Sequence, residues 1–365
     1  MKKNNMKKRN SKNKKKRKIS KITVILISII WLILMIFVII LVGNSIKNSN
    51  KLKEIKSNIK IPDGFYYVGG DINTGVIISD NKKDQFKGES FNVIGKLKGN
   101  QFVWVPVEKA IVESYDEAET LVNEGKNPIA IKDGENYKAL KYVFDDYTLK
   151  YLVVSEYKDT FEPYILKSGI YGDNETYIEG STGDLYQKTF NNMVEAVEKN
   201  KGFYISRYEV GNLNNAIRNN EKVVSKANEE DINNESWVAL YKVLKEIYDR
   251  NDITTEMIWG CQWDAVLVWI ANNSNISNYV YNSQDVGNYY NKLEKTGSSS
   301  NYSLKNIYDL AGNAYEWTQR GTLGGRVAYG GCFKTYDVYS LENSYTYGIT
   351  YYWEEVGTRM SMYVN

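Results

Sequence analysis

The chain has 365 residues, of which 42% are hydrophobic and 13% aromatic, so a large packed domain is expected and a wholly disordered chain is excluded. It contains two cysteines and no histidine, which excludes histidine general bases, Ser-His or Cys-His nucleophile pairs and histidine-ligated zinc or iron sites. The formal net charge of +3 is misleading, because the basic residues are concentrated in a short N-terminal tail.

That tail, residues 1–21, contains 12 lysines or arginines and no acidic residue. Residues 22–42 follow without a charge. At roughly 1.5 Å rise per residue, a helix of this length spans about 30 Å, the thickness of a bilayer core. The segment is longer than the apolar core of a typical signal peptide. We therefore predict a retained transmembrane helix, with a cleaved signal as the alternative.

Charge also predicts the orientation of this helix. Basic residues beside a membrane helix stay on the cytoplasmic face, so the N-terminus is expected in the cytoplasm and the main domain outside the cell. The tail is then expected to contact anionic lipid of the cell membrane. Lysine-rich runs also occur in nucleic-acid-binding proteins, but topology explains this one and no nucleic-acid partner is expected. Residues 43–60 are polar and lack aromatic residues, which predicts a stalk.

Residues 61–365 form the predicted extracytoplasmic domain, in which 108–189 is interpreted as an insertion or peripheral layer. Strand patterns occur at 101–107 and 202–210. Apolar side chains at helical spacing follow Phe190, Trp237 and Trp259, and such stripes are usually core faces. After residue 301 the chain turns to short segments separated by Gly and Asn. The pattern predicts an α+β fold.

Four segments, taken in order, resemble the formylglycine-generating enzyme, or sulfatase-modifying-factor, domain family. They are 202–211 (GFYISRYEVG), 259–269 (WGCQWDAVLVW), 306–318 (NIYDLAGNAYEWT) and 326–333 (RVAYGGCF), followed by Gly-Thr-Arg at 357–359. The resemblance covers roughly residues 61–365. It implies that the α+β ectodomain has a variant C-type-lectin-like fold.

The segment 306–318 is the most specific part of the resemblance and suggests a metal. Asp309 and Glu316 flank a tight turn at Gly312, and calcium takes about six to eight oxygen ligands from carboxylates and carbonyls. The resemblance implies a structural calcium site at Asp309, Gly312, Ala314 and Glu316, the middle two through their carbonyls. The alternative is a hydrogen-bonded turn without metal.

The family's redox chemistry is not expected. Its active oxidases bind copper through two cysteines five residues apart, as soft thiolates. Aligned on residues 330–333 (GGCF), this chain has Thr335 and Ser340 at those positions, and hydroxyls cannot replace thiolates for Cu(I). Tyr329 and Thr358 also stand where the family usually has arginine and phenylalanine. A related branch uses a histidine-rich iron site, so neither copper nor iron is expected.

The stretch between residues 333 and 353 is rich in tyrosine and small polar residues, the composition of adaptable recognition surfaces. In the resembled fold this stretch lines the ligand cleft, and the variable proteins of diversity-generating retroelements use it as a diversified binding site. The expected ligand is a glycan, peptide or protein; the alternative is that the tyrosines pack the end of the domain. The predicted ligand-binding residues are Thr335, Tyr336, Tyr339, Ser340, Tyr345, Tyr347 and Tyr351.

Other reactive groups have simpler interpretations. Cys261 and Cys332 are either one extracytoplasmic disulfide or two buried thiols, and buried thiols are the simpler interpretation. The acidic runs at 145–146, 229–231 and 354–355 are interpreted as solvated surface, because adjacent side chains diverge on helices and strands. Three functions therefore remain open: a binding module, which we favour; an enzyme with an atypical active site; and a structural component of an envelope complex.

Overall fold

The computed structural model describes residues 21–86, 96–144, 151–154, 183–212, 223–245, 247–248, 250–273, 275–289, 292–322, 325–336 and 339–365. Most of the basic tail, the acidic pair at 145–146 and part of the stretch 108–189 lie outside these residues. The chain divides into two compact units, one ending at Lys51 and the other comprising Leu52–Asn365.

The described residues form both helices and strands, so the chain is a mixed α+β protein. The helices are α1 Lys21–Asn58, α2 Tyr115–Asn123, α3 Gly183–Asn200, α4 Trp237–Lys245 and α5 Gly260–Ala271. The strands are β1 Tyr66–Gly69, β2 Val76–Ser79, β3 Gln101–Pro106, β4 Ile111–Val112, β5 Ala130–Asp133, β6 Asn136–Ala139, β7 Lys141–Phe144, β8 Tyr151–Val154, β9 Gly202–Ser206, β10 Gly211–Asn212, β11 Glu230–Asp231, β12 Ile253–Met257, β13 Ser303–Leu304, β14 Ile307–Tyr308, β15 Tyr315–Thr322, β16 Gly325–Tyr329, β17 Ser344–Tyr347, β18 Val356–Thr358 and β19 Met360–Val364.

Helix α1 contains the predicted apolar segment. It is long and apolar enough to cross a membrane, with a mean hydropathy of 3.5 over its most apolar window. A signal sequence near an N-terminus would have the same length and composition. The helix does not end where the polar stretch 43–60 begins but continues to Asn58. Within the second unit, Ile55 and Ile59 are buried in the core, and this burial stabilises helical structure that the local composition alone does not.

The core of the second unit is built on a six-stranded sheet. Its strand order is β1-β2-β3-β9-β19-β12, and every neighbouring pair is antiparallel. All residues of β2, β9 and β19 are buried, as expected of strands covered on both faces. Helix α3 packs against β9 and β19, and α4 packs against β12.

The predicted helical stripes are confirmed as core faces. Phe190 in α3, Trp237 and Leu240 in α4, and Trp263 in α5 are all fully buried. Every side chain of α5 is buried, which explains why this segment is apolar almost all round. Both cysteines lie among the described residues and are buried thiols without a disulfide between them, in agreement with the simpler interpretation of the sequence.

A second, four-stranded sheet contains parts of the segments 306–318, 326–333 and 357–359. Its order is β17-β16-β15-β18, with β15 and β18 parallel and the other pairs antiparallel. The stretch 108–189 contributes α2 and two small sheets, β4-β5-β6 and β7-β8. Helix α5 packs against β7 and β15, and therefore connects this stretch with the second sheet.

The core assignment predicts the effect of shortening one side chain. Leu240 is fully buried where α4 packs on β12. Leu240→Ala should lower the free energy of unfolding by about 2–5 kcal/mol, through lost apolar burial and the remaining cavity. Chemical denaturation measures this change. Lys242→Ala on the exposed side of α4 is the matched control, and an equal effect of the two substitutions would contradict the assigned helix face.

Candidate functional site

The loop between β14 and β15 contains three of the four predicted calcium ligands, Asp309, Gly312 and Ala314, and the fourth, Glu316, follows in β15. Gly312 has a φ of 69°, and a Cβ there would lie 2.4 Å from the carbonyl oxygen of Asn288. Only glycine therefore allows the loop to approach this backbone so closely. Asp309 is buried at the start of the loop, and its Oδ2 accepts a hydrogen bond of 2.6 Å from the backbone N–H of Gly297.

Glu316, the last predicted calcium ligand, forms a buried ion pair with Arg359. The Arg359 Nε donates to Glu316 Oε2 at 2.7 Å, and Nη2 donates to Oε1 at 2.5 Å. Arg359 also donates to the carbonyl oxygens of Ser206 and Tyr308. Both carboxylate oxygens of Glu316 therefore have a cationic partner already, in the bidentate geometry that arginine favours.

Two further carboxylates lie buried near this pair, and we call the four residues Glu209, Asp231, Asp309 and Glu316 the carboxylate cluster. Glu209 accepts hydrogen bonds from the Asn313 side chain and from the backbone N–H of Ala314. Asp231 is 2% exposed, and neither of its side-chain oxygens has a hydrogen-bond partner. A Cβ at Gly357 would lie 3.1 Å from Asp231 Oδ2, so glycine leaves room for this carboxylate beside β18.

Burial determines the protonation of the cluster. Desolvation raises the pKa of Asp309 to about 7, although the hydrogen bond from Gly297 and the charge of Arg359 lower it. Desolvation, followed by repulsion from neighbouring carboxylates, raises the pKa of Glu209 and of Asp231 well above the usual range. The cluster therefore retains protons at pH values where exposed carboxylates are ionised.

Sequence reasoning found half of the cluster. Asp309 and Glu316 were predicted as calcium ligands. Glu209 lies in the family-like segment 202–211, but nothing in the sequence indicated that it belongs to a site. Asp231 corrects the sequence interpretation, which placed the run 229–231 on the solvated surface. Its burial follows from the pairing of β11 with β10, opposite Gly211, and no local pattern indicates it. Among the residues that the structure describes, no three acidic or cysteine side chains are arranged to hold a metal ion.

Thr335 and Ser340, which the sequence analysis aligned with the copper cysteines of the resembled family, each make hydrogen bonds within a turn. The buried Thr335 Oγ1 accepts the backbone N–H of Cys332 at 2.9 Å. Ser340 Oγ donates to the carbonyl oxygen of Val280 at 2.9 Å and accepts the backbone N–H of Glu342. Burial raises the pKa of the Cys332 thiol, which favours the protonated form over the nucleophilic thiolate.

Three of the predicted ligand-binding tyrosines lie in an exposed group of rings that we call the aromatic row: Tyr345, Tyr347, Tyr351 and Trp353. Tyr345 and Tyr347 are two residues apart on β17 and therefore point to the same face of the strand. Their rings stack with centroids 6.0 Å apart. Trp353 lies 5.4 Å from Tyr347 and 6.5 Å from Tyr351. Tyr345, Tyr351 and Trp353 are 56%, 49% and 43% exposed. Sequence reasoning missed Trp353, which bounds the tyrosine-rich stretch.

Two other predicted residues, Tyr339 and Ser340, line a separate cavity of about 600 Å³. Its wall includes Asp264, which forms a buried ion pair with Arg320 in which Nη2 and Oδ2 are 2.8 Å apart. Tyr336 is 70% exposed. The structure thus divides the predicted site among a turn, a cavity and an exposed row. The residues lining the cavity are Lys141, Tyr142, Asp264, Tyr281, Asn282, Tyr329, Tyr339, Ser340, Glu342, Asn343 and Ser344.

Comparison with known proteins adds little. No protein-family model and no curated protein matches the chain. Among solved structures, the chain is similar to variable protein 1 of Treponema denticola, with 13% identity and a TM-score of 0.35 over 44% of this chain and 84% of that one. It is also similar to CarF, with 15% identity and a TM-score of 0.33 over 45% of this chain and 87% of that one. Neither likeness assigns a fold or a function.

The carboxylate cluster predicts a pH dependence of stability. Asp231 has a raised pKa in the folded state, whereas in the unfolded chain it titrates near its ordinary value of about 4. Between these two pKa values the native state binds more protons than the unfolded state does. The free energy of unfolding is therefore greatest below the pKa of the unfolded chain and falls as the pH rises through the raised pKa of the folded state.

Asp231→Asn should flatten this decline, because a neutral amide replaces the titrating carboxyl. Melting temperatures measured from pH 4 to pH 9 test the prediction. The exposed Asp285→Asn serves as control and should leave the profile unchanged. An Asp231→Asn profile as steep as that of the wild type would contradict the assignment.

Proposed function

We propose that the protein is a membrane-anchored extracytoplasmic binding module of the formylglycine-generating-enzyme type, with a variant C-type-lectin-like fold and without the family's oxidase activity. Its surface ligand is a glycan, peptide or protein held by the aromatic row. The observation that carries the proposal is the exposure of Tyr345, Tyr351 and Trp353 in a row of rings that contact one another, on β17 and the segment after it.

The row has the properties of a prepared recognition surface. Contiguous exposed aromatic rings are uncommon on soluble domains and usually mark interaction sites. Tyr347 packs edge-on against the buried Trp317, with centroids 5.5 Å apart, and Tyr345 packs against Tyr315 at 5.4 Å. These contacts hold the rings before a ligand arrives, which reduces the entropy lost on binding.

The contacts of Thr335 and Ser340 support a role without copper catalysis. Each hydroxyl accepts a backbone N–H of its own turn, and that of Ser340 also donates to the carbonyl of Val280. Neither hydroxyl is a soft donor for Cu(I). Cys332, the nearest thiol in sequence, is buried and has a raised pKa. These features give no particular support to the enzyme alternative, and the residues instead stabilise the backbone next to the cavity.

Membrane anchoring is proposed from α1 and from the basic residues that precede it. If α1 spans the membrane with the basic tail on the cytoplasmic side, the aromatic row belongs to a domain outside the cell. Contact of the tail with anionic lipid would add to the anchoring. A structural role in an envelope complex would use the same surface against a fixed protein neighbour.

A structural calcium ion remains a proposal for Asp309, Gly312, Ala314 and Glu316. Glu316 does not fit such a site while both of its oxygens hold Arg359. Asp309 fits better, because Oδ2 accepts one backbone N–H while Oδ1 could bind the ion. A bound ion would supply the positive charge that the remaining buried carboxylates lack.

Calcium binding predicts a change in thermal stability. Adding calcium in excess to the chelator-treated protein should raise the melting temperature, because an ion that binds only the native state stabilises it. Asp309→Ala should abolish the increase, whereas the exposed Asp285→Ala should retain it. If calcium leaves the wild-type melting temperature unchanged, the loop is a metal-free turn held by Arg359.

If the aromatic row binds the ligand, substitutions in the row should lower the affinity of the protein for that ligand. The protein should capture at least one member of a panel of glycans, wall fragments and peptides, measured by array binding and then by calorimetry. Tyr345→Ala and Trp353→Ala should each weaken that binding about tenfold or more, because aromatic side chains that become buried in a complex dominate the binding energy.

Ile72→Ala, an exposed apolar position outside the row, is the matched control and should bind like the wild type. Absence of binding across the panel would argue against the proposal. Cross-linking of the row to one fixed protein neighbour in intact cells would instead support the structural role.

A further inference from the structure

We infer that the cavity beside Tyr339 is a second ligand site, which accepts one neutral sugar unit of a surface glycan. The inference rests on the proposed function, because it names a ligand class and a further contact for the same binding module. It is carried by the aromatic, polar and nearly charge-balanced lining of the cavity.

The cavity has the size of a small-molecule site. Its volume of about 600 Å³ lies within the usual range for ligand pockets, roughly 300–1,000 Å³. Its residues come from four parts of the chain: β7, Asp264 in α5, the segment around Tyr281, and the stretch from Tyr329 to Ser344. A sugar unit entering it would therefore contact several elements at once.

Tyrosine rings form much of the wall, and several of them are held in place. Tyr329 stacks on Trp263 with centroids 5.7 Å apart, and its hydroxyl accepts a hydrogen bond from Arg320. The Tyr142 hydroxyl donates to the carbonyl oxygen of Pro128. These two rings are themselves buried, and the apolar surface open to the C–H face of a sugar is that of the half-buried Tyr281 and Tyr339. Both pack edge-on against neighbouring rings, with centroids 6.3 and 5.1 Å apart, which limits the entropy cost of binding.

The remaining wall suits the hydroxyl edge of a sugar. Asn282, Asn343 and Ser344 line the cavity together with the tyrosines. Amide side chains both donate and accept hydrogen bonds, and so do hydroxyl groups. A sugar hydroxyl has the same double capacity, so this lining can satisfy several hydroxyls of one ring. Among the described residues that line the cavity, none is Leu, Ile, Val, Met or Phe, which disfavours a lipid or another wholly apolar ligand.

The charges favour a neutral ligand over an anionic one. Of the lining residues that the structure describes, Lys141 is the single basic one, and Asp264 and Glu342 are acidic. The carboxylate of Asp264 is already paired with Arg320 and accepts the backbone N–H of Tyr142 at 2.9 Å. Sites for phosphate or nucleotides instead collect arginines, lysines and helix N-termini. The lining therefore fits a sugar without a charged substituent.

The test uses the full-length protein in lipid nanodiscs, because sugar-headed detergents would compete for the cavity. Glucose, galactose and N-acetylglucosamine are titrated by calorimetry and by saturation-transfer NMR. At least one of them should bind the wild type. Ser344→Leu should weaken this binding about tenfold or more, because a bulky side chain projects where the sugar lies.

Thr346→Leu is the matched control, because Thr346 is exposed on the same face of β17 but does not line the cavity. It should bind sugar like the wild type, and both variants should keep the wild-type melting temperature. Asn282→Ala, another exposed lining position, should also weaken binding. It provides an independent test if Ser344→Leu alters the strand.

Three results would overturn the inference: no neutral sugar binds, a sugar phosphate or peptide binds in preference, or Ser344→Leu binds sugar as well as Thr346→Leu does. The row variants Tyr345→Ala and Trp353→Ala separate this outcome from failure of the proposed function. Ligand capture that depends on the row, without sugar in the cavity, would overturn this inference alone. Sugar binding that survives the row variants, without capture of any panel ligand by the row, would overturn the role of the row alone.

Discussion

The buried ion pair between Glu316 and Arg359 connects the two sheets on which the rest of the structure depends. Arg359 lies between β18 of the four-stranded sheet and β19 of the six-stranded sheet, and it bonds to Glu316 on β15. Its other donors reach the carbonyl of Ser206, at the end of β9, and that of Tyr308 on β14. A buried pair stabilises a structure only when its polar groups are satisfied, and this guanidinium bonds to two strands besides that of Glu316.

Strand β15 contributes residues to the carboxylate cluster, to the packing of the aromatic row and to the surroundings of the cavity. Glu316 belongs to the carboxylate cluster, Trp317 packs against Tyr347 of the aromatic row, and Arg320 forms an ion pair with Asp264 at the cavity wall. The ladder between β15 and β16 changes register between Trp317 and Gly321. Such irregularities redirect side chains along a strand. One strand can therefore contribute to three different environments within a few residues.

The sequence predicted the helices of the core well, because their apolar side chains repeat with the helical period. It also predicted β3 and β9, whose buried residues are consecutive in the chain. It could not predict that Asp231 is buried, because that depends on pairing with Gly211, twenty residues earlier in the chain. Nor could it predict that Tyr142 shares a cavity with Tyr339, because helix packing brings these distant segments together.

The tyrosine-rich stretch shows the same limit on a smaller scale. Composition identified it as one recognition surface, but Thr335 is buried, Tyr339 and Ser340 line a cavity, and Tyr345 is exposed on β17. Backbone direction separates these residues, and composition carries no information about direction. Trp353 joins the row through ring contacts that only the folded chain creates.

The buried thiols of Cys261 and Cys332 have a consequence for biogenesis. The second unit holds its core together by packing and hydrogen bonds, and no covalent cross-link joins its two cysteines. Its maturation should therefore need neither an oxidising compartment nor a thiol-disulfide catalyst, and reducing agents should leave the finished fold intact. Recombinant production in a reducing cytosol is accordingly compatible with the native state.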